Sequence, residues 1–553
     1  MGDVDGVGAS AATSSGKRPK RKVAIIFGYI GERYCGLQWN HLPNYPTVEE
    51  ELLRALHRTN MISEENYSQE KVQQKLNWER ASRTDKGVHA LRNVISLNLM
   101  LPHAKGSASE YDTVEAKRLL MSVLPPDIIV YEIIPVTRSF NAYMMCGART
   151  YEYYIPTFAF MSNREYCTKY FPPSIAPSQP TLEEVGFLNH KTNIGESKVA
   201  HGEGIRVLGK KRPRDDGGNV ESAVAVENVS GEDPKPIDAG EELLKSCPGP
   251  DTPDGESNSD ETPRKFHDGL FEKMLVFRTI PEDTMREVAR YRITSEDLEE
   301  TRRIFHLYEG THSYHNFTPG GKASDPSSVR YITSVTVSDP FVIDPADPSL
   351  QAALQQWTPS RFYSPDDELL THEGEKVDGD VEQHRLQMRE RMLGIYRVPT
   401  ESESGSGVGV SNGLEVVRIE LNGQSFLFNQ IRKMIGAVSS MRVAGLPPAY
   451  LRDHFLNRSV RCGTPMAPAN GLFLSYLDFQ RYNYRLGRIQ LEGDNGRGKD
   501  GIYVDRVDQG AVEEFRRKIV AVVLRNEMVT DAIGRWMRSL RHVLRLACNI
   551  ELP

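Results

Sequence analysis

The chain has 553 residues, 39% of them hydrophobic and 26% charged, enough to bury one large core or two. No apolar run is long enough to cross a bilayer, and the N-terminal MGDVDGVGASAATSSGKRPKRK holds no apolar core of a signal peptide. The net charge of −7 argues against a nucleic-acid partner only until it is resolved along the chain: residues 215–261 hold 14 acidic and 2 basic residues, residues 344–403 hold 13 and 6, and the remainder is net +12.

In chain order, residues 1–21 form a Gly/Ser/Ala-rich arm expected to be disordered, ending in the basic run KRPKRK (17–22). KVAIIFGYIG then predicts a buried strand over 23–27. Thr47 and Glu50 predict a capping box, opening a helix that turns Leu52, Leu53, Ala55 and Leu56 inward. LRNVISLNL (91–99) has the loose alternation of a half-buried strand, 114–123 reads as a helix stopped by Pro125, and 128–136 and 149–157 read as strands. Residues 181–263 form an acidic, low-complexity insertion that separates an N-terminal lobe (22–180) from a C-terminal lobe (264–480). Within the second lobe, 295–308 predicts a helix and 331–343 a strand. A polar insertion over about 345–412 contains a short helical stretch near LQMRERMLGIYRV. An alternating strand covers 414–423, and a helix over 426–445 ends at Gly445. The tail (481–553) is helical by period over 511–545, with Arg and Lys on its outer positions. Strands and helices alternating in two halves predict an α+β fold with a mainly antiparallel sheet. Six cysteines lie far apart without a CxxC pair, which points to a reducing compartment.

Four stretches are odd for plain structure. ASRTDKGVHA (81–90) puts Arg83, Asp85 and Lys86 in a glycine-containing turn between strands. CGARTYEYYIP (146–156) sets Arg149 and Tyr151 on one strand face. GTHSYHNFT (310–318) is polar and aromatic where an ordinary loop would serve. GQSFLFNQIRKMIG (423–436) interrupts an apolar helix with Arg432 and leaves room one turn on, at Gly436. Taken singly, each has a bland explanation: a hairpin turn, a sheet aromatic, a snorkelling arginine. His306, His312 and His315 invite a metal reading, but no helical His-x-x-x-His pair supports it.

Together these stretches resemble the TruA family of pseudouridine synthases, most closely its eukaryotic multi-site tRNA branch. The matches are GYIGERYCGLQWN, ASRTDKGVHA, ARTYEYYIP, GTHSYHNFT, RYI (330–332), DPFVI, GQSFLFNQIRKMIG and, more loosely, APANGLFL; they run in family order across most of 22–480. The resemblance implies a two-lobed fold with a central RNA-binding cleft, a helical C-terminal extension and a monomer acting on tRNA, with other structured RNA as a further substrate. It implies no cofactor and no metal, no membrane partner, and a nuclear location, with cytoplasm or mitochondrion as alternatives. It further implies Asp85 as carboxylate nucleophile, Arg432 as its counter-charge, and Tyr151 as a ring stacked on the target base. Arg83 would hold the flipped nucleotide's backbone; Lys86, His89 and Leu474 would complete the substrate site. A sibling enzyme with another position specificity and an inactive RNA-binding scaffold are the alternatives.

Overall fold

The computed structural model describes residues 19–42, 45–104, 111–170, 282–356, 381–396, 413–491 and 501–544. The acidic insertion 181–263 and most of the N-terminal arm lie outside the described residues. The strands are β1 Arg21–Tyr29, β2 Glu79–Arg80, β3 His89–Leu99, β4 Ile128–Pro135, β5 Ala148–Pro156, β6 Gly310–Ser313, β7 Val329–Val337, β8 Phe341–Ile343, β9 Leu414–Gly423 and β10 Leu472–Asp478. Helices of eight residues or more are α1 Val48–Arg58, α2 Thr113–Met121, α3 Asn163–Tyr170, α4 Glu282–Ala289, α5 Ser295–His306, α6 Pro348–Gln355, α7 Val381–Tyr396, α8 Gln430–Ala444, α9 Gln480–Leu491, α10 Gln509–Thr530 and α11 Ala532–Val543.

One sheet unites both halves of the sequence, in the order β4-β1-β3-β10-β5-β9-β7-β6, with β2 added to β3 and β8 to β9. Every pairing is antiparallel except β3 with β10, which is where the chain's last strand enters between two early ones. The fold is therefore α+β, mainly antiparallel, with flanking helices.

Three local expectations change. Strand β3 is buried almost throughout rather than on one face, because helices and loops cover both sides of this central strand. Helix α1 forms without its capping box: the Thr47 hydroxyl is buried and accepts nothing from the first turn. Its first amides donate instead to the backbone carbonyls of Gly36 and Leu37, at 3.3 Å from Val48 and 3.0 Å from Glu49, which satisfies the orphan donors of the helix start. The tail is two helices rather than one, broken at Asp531 (φ 50°), and Arg525 within it is only 1% exposed.

Candidate active site

The 81–88 segment is held from every side. The carbonyl of Ala81 accepts from Arg149 Nε and Nη2 at 3.1 and 2.8 Å, and that of Ser82 from Asn93 Nδ2 at 3.0 Å. Leu37 N–H donates to the Thr84 carbonyl at 3.2 Å, Gly87 N–H donates to that of Tyr34 at 3.2 Å, and the Tyr29 and Thr84 hydroxyls share a 2.7 Å bond. Asp85 to Val88 closes a tight turn (Val88 N–H to Asp85 carbonyl, 3.1 Å) with Gly87 at φ 77°, a conformation that suits glycine. The GYIGERYCG stretch explains itself here. A Cβ on Gly31 would lie 2.1 Å from the Val88 carbonyl oxygen, and one on Gly36 (φ 97°) 2.8 Å from that of Thr84. These glycines let one backbone lie directly on the other. The loop is rigid although its sequence is polar.

Strand alternation decides which predicted residues meet. Ala90, Leu474, Tyr151, Leu421 and Val335 are register partners across β3, β10, β5, β9 and β7, so they share one face. Arg149, two residues from Tyr151, lies on the same face, as expected. Its Nη1 also donates to the Gln424 carbonyl at 2.6 Å, so this arginine ties the 81–88 segment to the start of the GQSFLFNQIR stretch. Tyr151 is buried. Its hydroxyl shares a 2.6 Å hydrogen bond with Ser82 Oγ, and its ring meets Phe426 edge-on at 5.3 Å. Burial raises the phenol's pKa, the Ser82 bond lowers it in part, and the nearby Asp85 raises it further.

Arg432 arrives from the first turn of α8, which begins four residues later than the periodicity predicts because Asn429 adopts a left-handed conformation (φ 62°). The side chain is buried, and Nε donates to the Ala467 carbonyl at 2.8 Å, while Ala467 N–H donates back to the Arg432 carbonyl at 3.1 Å. The room left by Gly436 is filled by this same loop: a Cβ there would stand 2.1 Å from the Pro465 carbonyl oxygen. Half-buried Asp85 has its carboxyl pushed up by loss of solvent and drawn down by the charge of Arg432. The two do not form an ion pair within 4.0 Å among the described residues, so Arg432 acts on Asp85 as a nearby charge rather than a bidentate clamp.

Arg83 and Lys86 are exposed on the same turn, and the Arg83 guanidinium has no protein partner among the described residues. The other two predicted substrate residues sit differently. Leu474 is in register with Tyr151 but has no exposed surface, so it backs the tyrosine ring. His89 lies on the opposite sheet face, 1% exposed, with Nδ1 accepting from Gly31 N–H at 3.0 Å; burial holds its pKa down to about 4. The structure does not bring it to Asp85. The three histidines near 310 also diverge: His306 pairs with the Glu309 carboxylate, His312 meets the Glu309 carbonyl, and His315 lies between Ser313 Oγ and the Val460 carbonyl.

Ser82 and the Pro465–Ala467 loop were missed by sequence reasoning. Ser82 stands inside the odd string, but nothing in its spacing says that it meets a residue 69 positions away.

The geometry thus gathers one carboxylate, one buried guanidinium and one buried tyrosine from three distant stretches of chain. A family model described as tRNA pseudouridine synthase matches residues 304–480, the part that supplies Arg432 and Leu474. Over that segment the chain is similar to the TruA family of pseudouridine synthases. It is similar to tRNA pseudouridine synthase 1 of Yarrowia lipolytica, at 27% identity over 91% of this chain and 71% of that protein. Its likeness to the enzyme of that name from Eremothecium gossypii is 28% over 96% and 79%. It also resembles the tRNA pseudouridine(27/28) synthase of Saccharomyces cerevisiae, at 28% over 84% and 86%. The matched segment 304–480 includes Gly436 and the Pro465–Ala467 loop that packs on it.

Proposed function

We infer that this protein isomerises uridine to pseudouridine in tRNA, at more than one position, with Asp85 as the nucleophile. The reaction breaks the bond from C1′ to N1, joins C1′ to C5, loses a proton at C5 and gains one at N1, so atoms and oxidation state are conserved. The observation that supports the assignment is the meeting of Asp85, Arg432 and Tyr151 at one place, since a protein that only bound RNA would need none of the three together.

Each residue has a role its surroundings suit. Asp85 must be ionised to attack, and a half-buried carboxylate loses that form unless a cation stands near; Arg432 supplies it. Tyr151 would offer its ring to the flipped base, and its hydroxyl, fixed by Ser82, would assist the loss of the C5 proton. Exposed Arg83 on the Asp85 turn would contact the phosphates beside the target, with Lys86 exposed on the same turn. Together with stacking, these contacts would offset the few kcal/mol that flipping costs. We place the enzyme in the nucleus, on the basic run at 17–22, acting as a monomer.

Incubating the pure protein with unmodified tRNA and mapping pseudouridine at nucleotide resolution tests the assignment. The expected result is stoichiometric product at defined uridines. Tight tRNA binding with no product would replace it by an inactive RNA-binding scaffold. Arg83→Met is expected to weaken tRNA binding and turnover together.

A further inference from the structure

Tyr151 and Glu152 are consecutive, so they face opposite sides of β5. Behind the sheet, Glu152 is 1% exposed. Its two carboxylate oxygens accept from Arg516 Nη1 at 2.6 Å each, and Oε1 also accepts from Ser475 Oγ at 2.5 Å. Arg516 belongs to α10, and Ser475 follows Leu474 on β10. One ion cluster therefore ties α10 to the two strands that present Tyr151 and its backing leucine.

Two more buried polar residues of the same helix make ties to the front of the sheet. Arg525, 1% exposed, pairs with Glu32 and donates to the Ala353 carbonyl at 2.9 Å. Glu32 sits between Gly31 and Gly36, the glycines on which the Asp85 turn rests. Glu527, 3% exposed, accepts from Asn470 Nδ2 at 3.1 Å and from Ile533 N–H at 3.0 and 3.1 Å. Asn470 lies three residues after Ala467, whose carbonyl holds Arg432.

We propose that α10 is a brace for the active site: Arg516, Arg525 and Glu527 are positioning residues. From behind, they fix the segments carrying Tyr151, Asp85 and the support of Arg432. The proposal rests on the assignment of those three as the reacting groups. Its physical basis is that a buried charge tolerates little displacement from its partner, since separation leaves it uncompensated in a poorly solvated place. Two such ion pairs on one helix, Arg516 with Glu152 and Arg525 with Glu32, convert the rigidity of a helix into fixed spacing between loops that belong to different parts of the sequence. Glu527, whose pKa burial and Asp531 raise to about 8, adds a hydrogen-bonded tie to Asn470 rather than a charge pair. Displacement of a reacting group by about 1 Å can cost about 100-fold in rate.

The test is carried out on the full-length protein with unmodified tRNA, comparing wild type with Arg516→Met, Arg516→Lys and the paired Glu152→Gln/Arg516→Met variant. Single-turnover rate, tRNA affinity and melting temperature are measured, the rate at a temperature where each variant is fully folded. Arg516→Met is expected to lower the rate about 10- to 100-fold with tRNA affinity within about 2-fold, and Arg516→Lys to recover part of the loss. The paired variant leaves no uncompensated buried charge, so it folds even if the single one does not; it too is expected to be slow. A wild-type rate in folded Arg516→Met or in the paired variant would overturn the brace. Asp85→Asn serves as the reference: if it turns over, the underlying site assignment fails, and if it is inert while the Arg516 variants are normal, only the brace fails.

Discussion

The two faces of strand β5 use charge in opposite ways. On the Tyr151 face, Asp85 keeps part of its surface in solvent, feels Arg432 without a direct ion pair, and has its carboxyl raised by burial. On the Glu152 face, the carboxylate is wholly enclosed and saturated by Arg516 and Ser475. Glu49, near the Asp85 turn, is saturated in the same manner, accepting from Trp39 N–H (3.0 Å), Gln73 (2.8 Å), Trp78 (2.8 Å) and Arg80 (2.5 Å). A carboxylate with every lone pair committed is a structural anchor, whereas one left short of partners is available to a substrate. The difference teaches that burial alone does not separate the proposed nucleophile from a structural carboxylate; the partners around each one do.

The comparison breaks most sharply at Asp85. Asp85→Asn is expected to reduce product below detection while tRNA affinity stays within about 3-fold, because phosphate contacts dominate binding; retained turnover, read by pseudouridine mapping, would end the contrast between the two faces. Arg432→Met comes next, with a rate loss on the order of 100-fold or more and little change in affinity. It also has a pH signature. Asp85 must be deprotonated to act, and Arg432 lowers its pKa, so the acid limb of the rate profile is expected to move to higher pH in the variant.

Smaller effects sharpen the picture. Gly436→Ala would drive a methyl into the Pro465 carbonyl, and a cost of about 1–3 kcal/mol in stability is expected from calorimetry, with some loss of rate through the Ala467–Arg432 link. His89 tests the anchored face by pH. Its folded pKa is about 4 against an ordinary value of 6.5, so the unfolded chain takes up the proton first and stability falls as pH drops through that window. The loss is about 3 kcal/mol between pH 6.5 and 4, and a flatter stability–pH curve is expected for His89→Asn. The smallest effect is expected from deleting residues 200–260: isomerase activity stays within about 2-fold, since the segment is low in apolar residues and lies apart in sequence from every catalytic position. A soluble but inactive deletion would show that the insertion belongs to the working fold.

Much of this was legible in the residues themselves. The positions of β1, β4, β5 and β9 and of α2, α5 and α8 are local signals, although β1, β5 and α8 are buried on nearly every side because neighbouring elements cover both of their faces. The string around Asp85 stood out because a polar, glycine-punctuated turn has little to offer a core, whereas those around Tyr151 and Arg432 stood out as a tyrosine and an arginine set in stretches that fold into the core. What the sequence by itself could not determine depends on distance through space. Thr47 looked like a cap, yet backbone carbonyls 12 residues before the first helical amides satisfied the helix start. His89 sits four residues from Asp85 in the same string, and only the strand's alternation sent it to the far face. Arg525 reads as an outer position of a helix until the packing of α10 on α6 and Glu32 buries it. The sequence determined which residue types were present for the reaction and which segments would fold locally. The tertiary structure decided which carboxylates would be saturated, because the partners around a charge come from separate elements that only packing brings together: tens of residues away for Glu49, hundreds for Glu152.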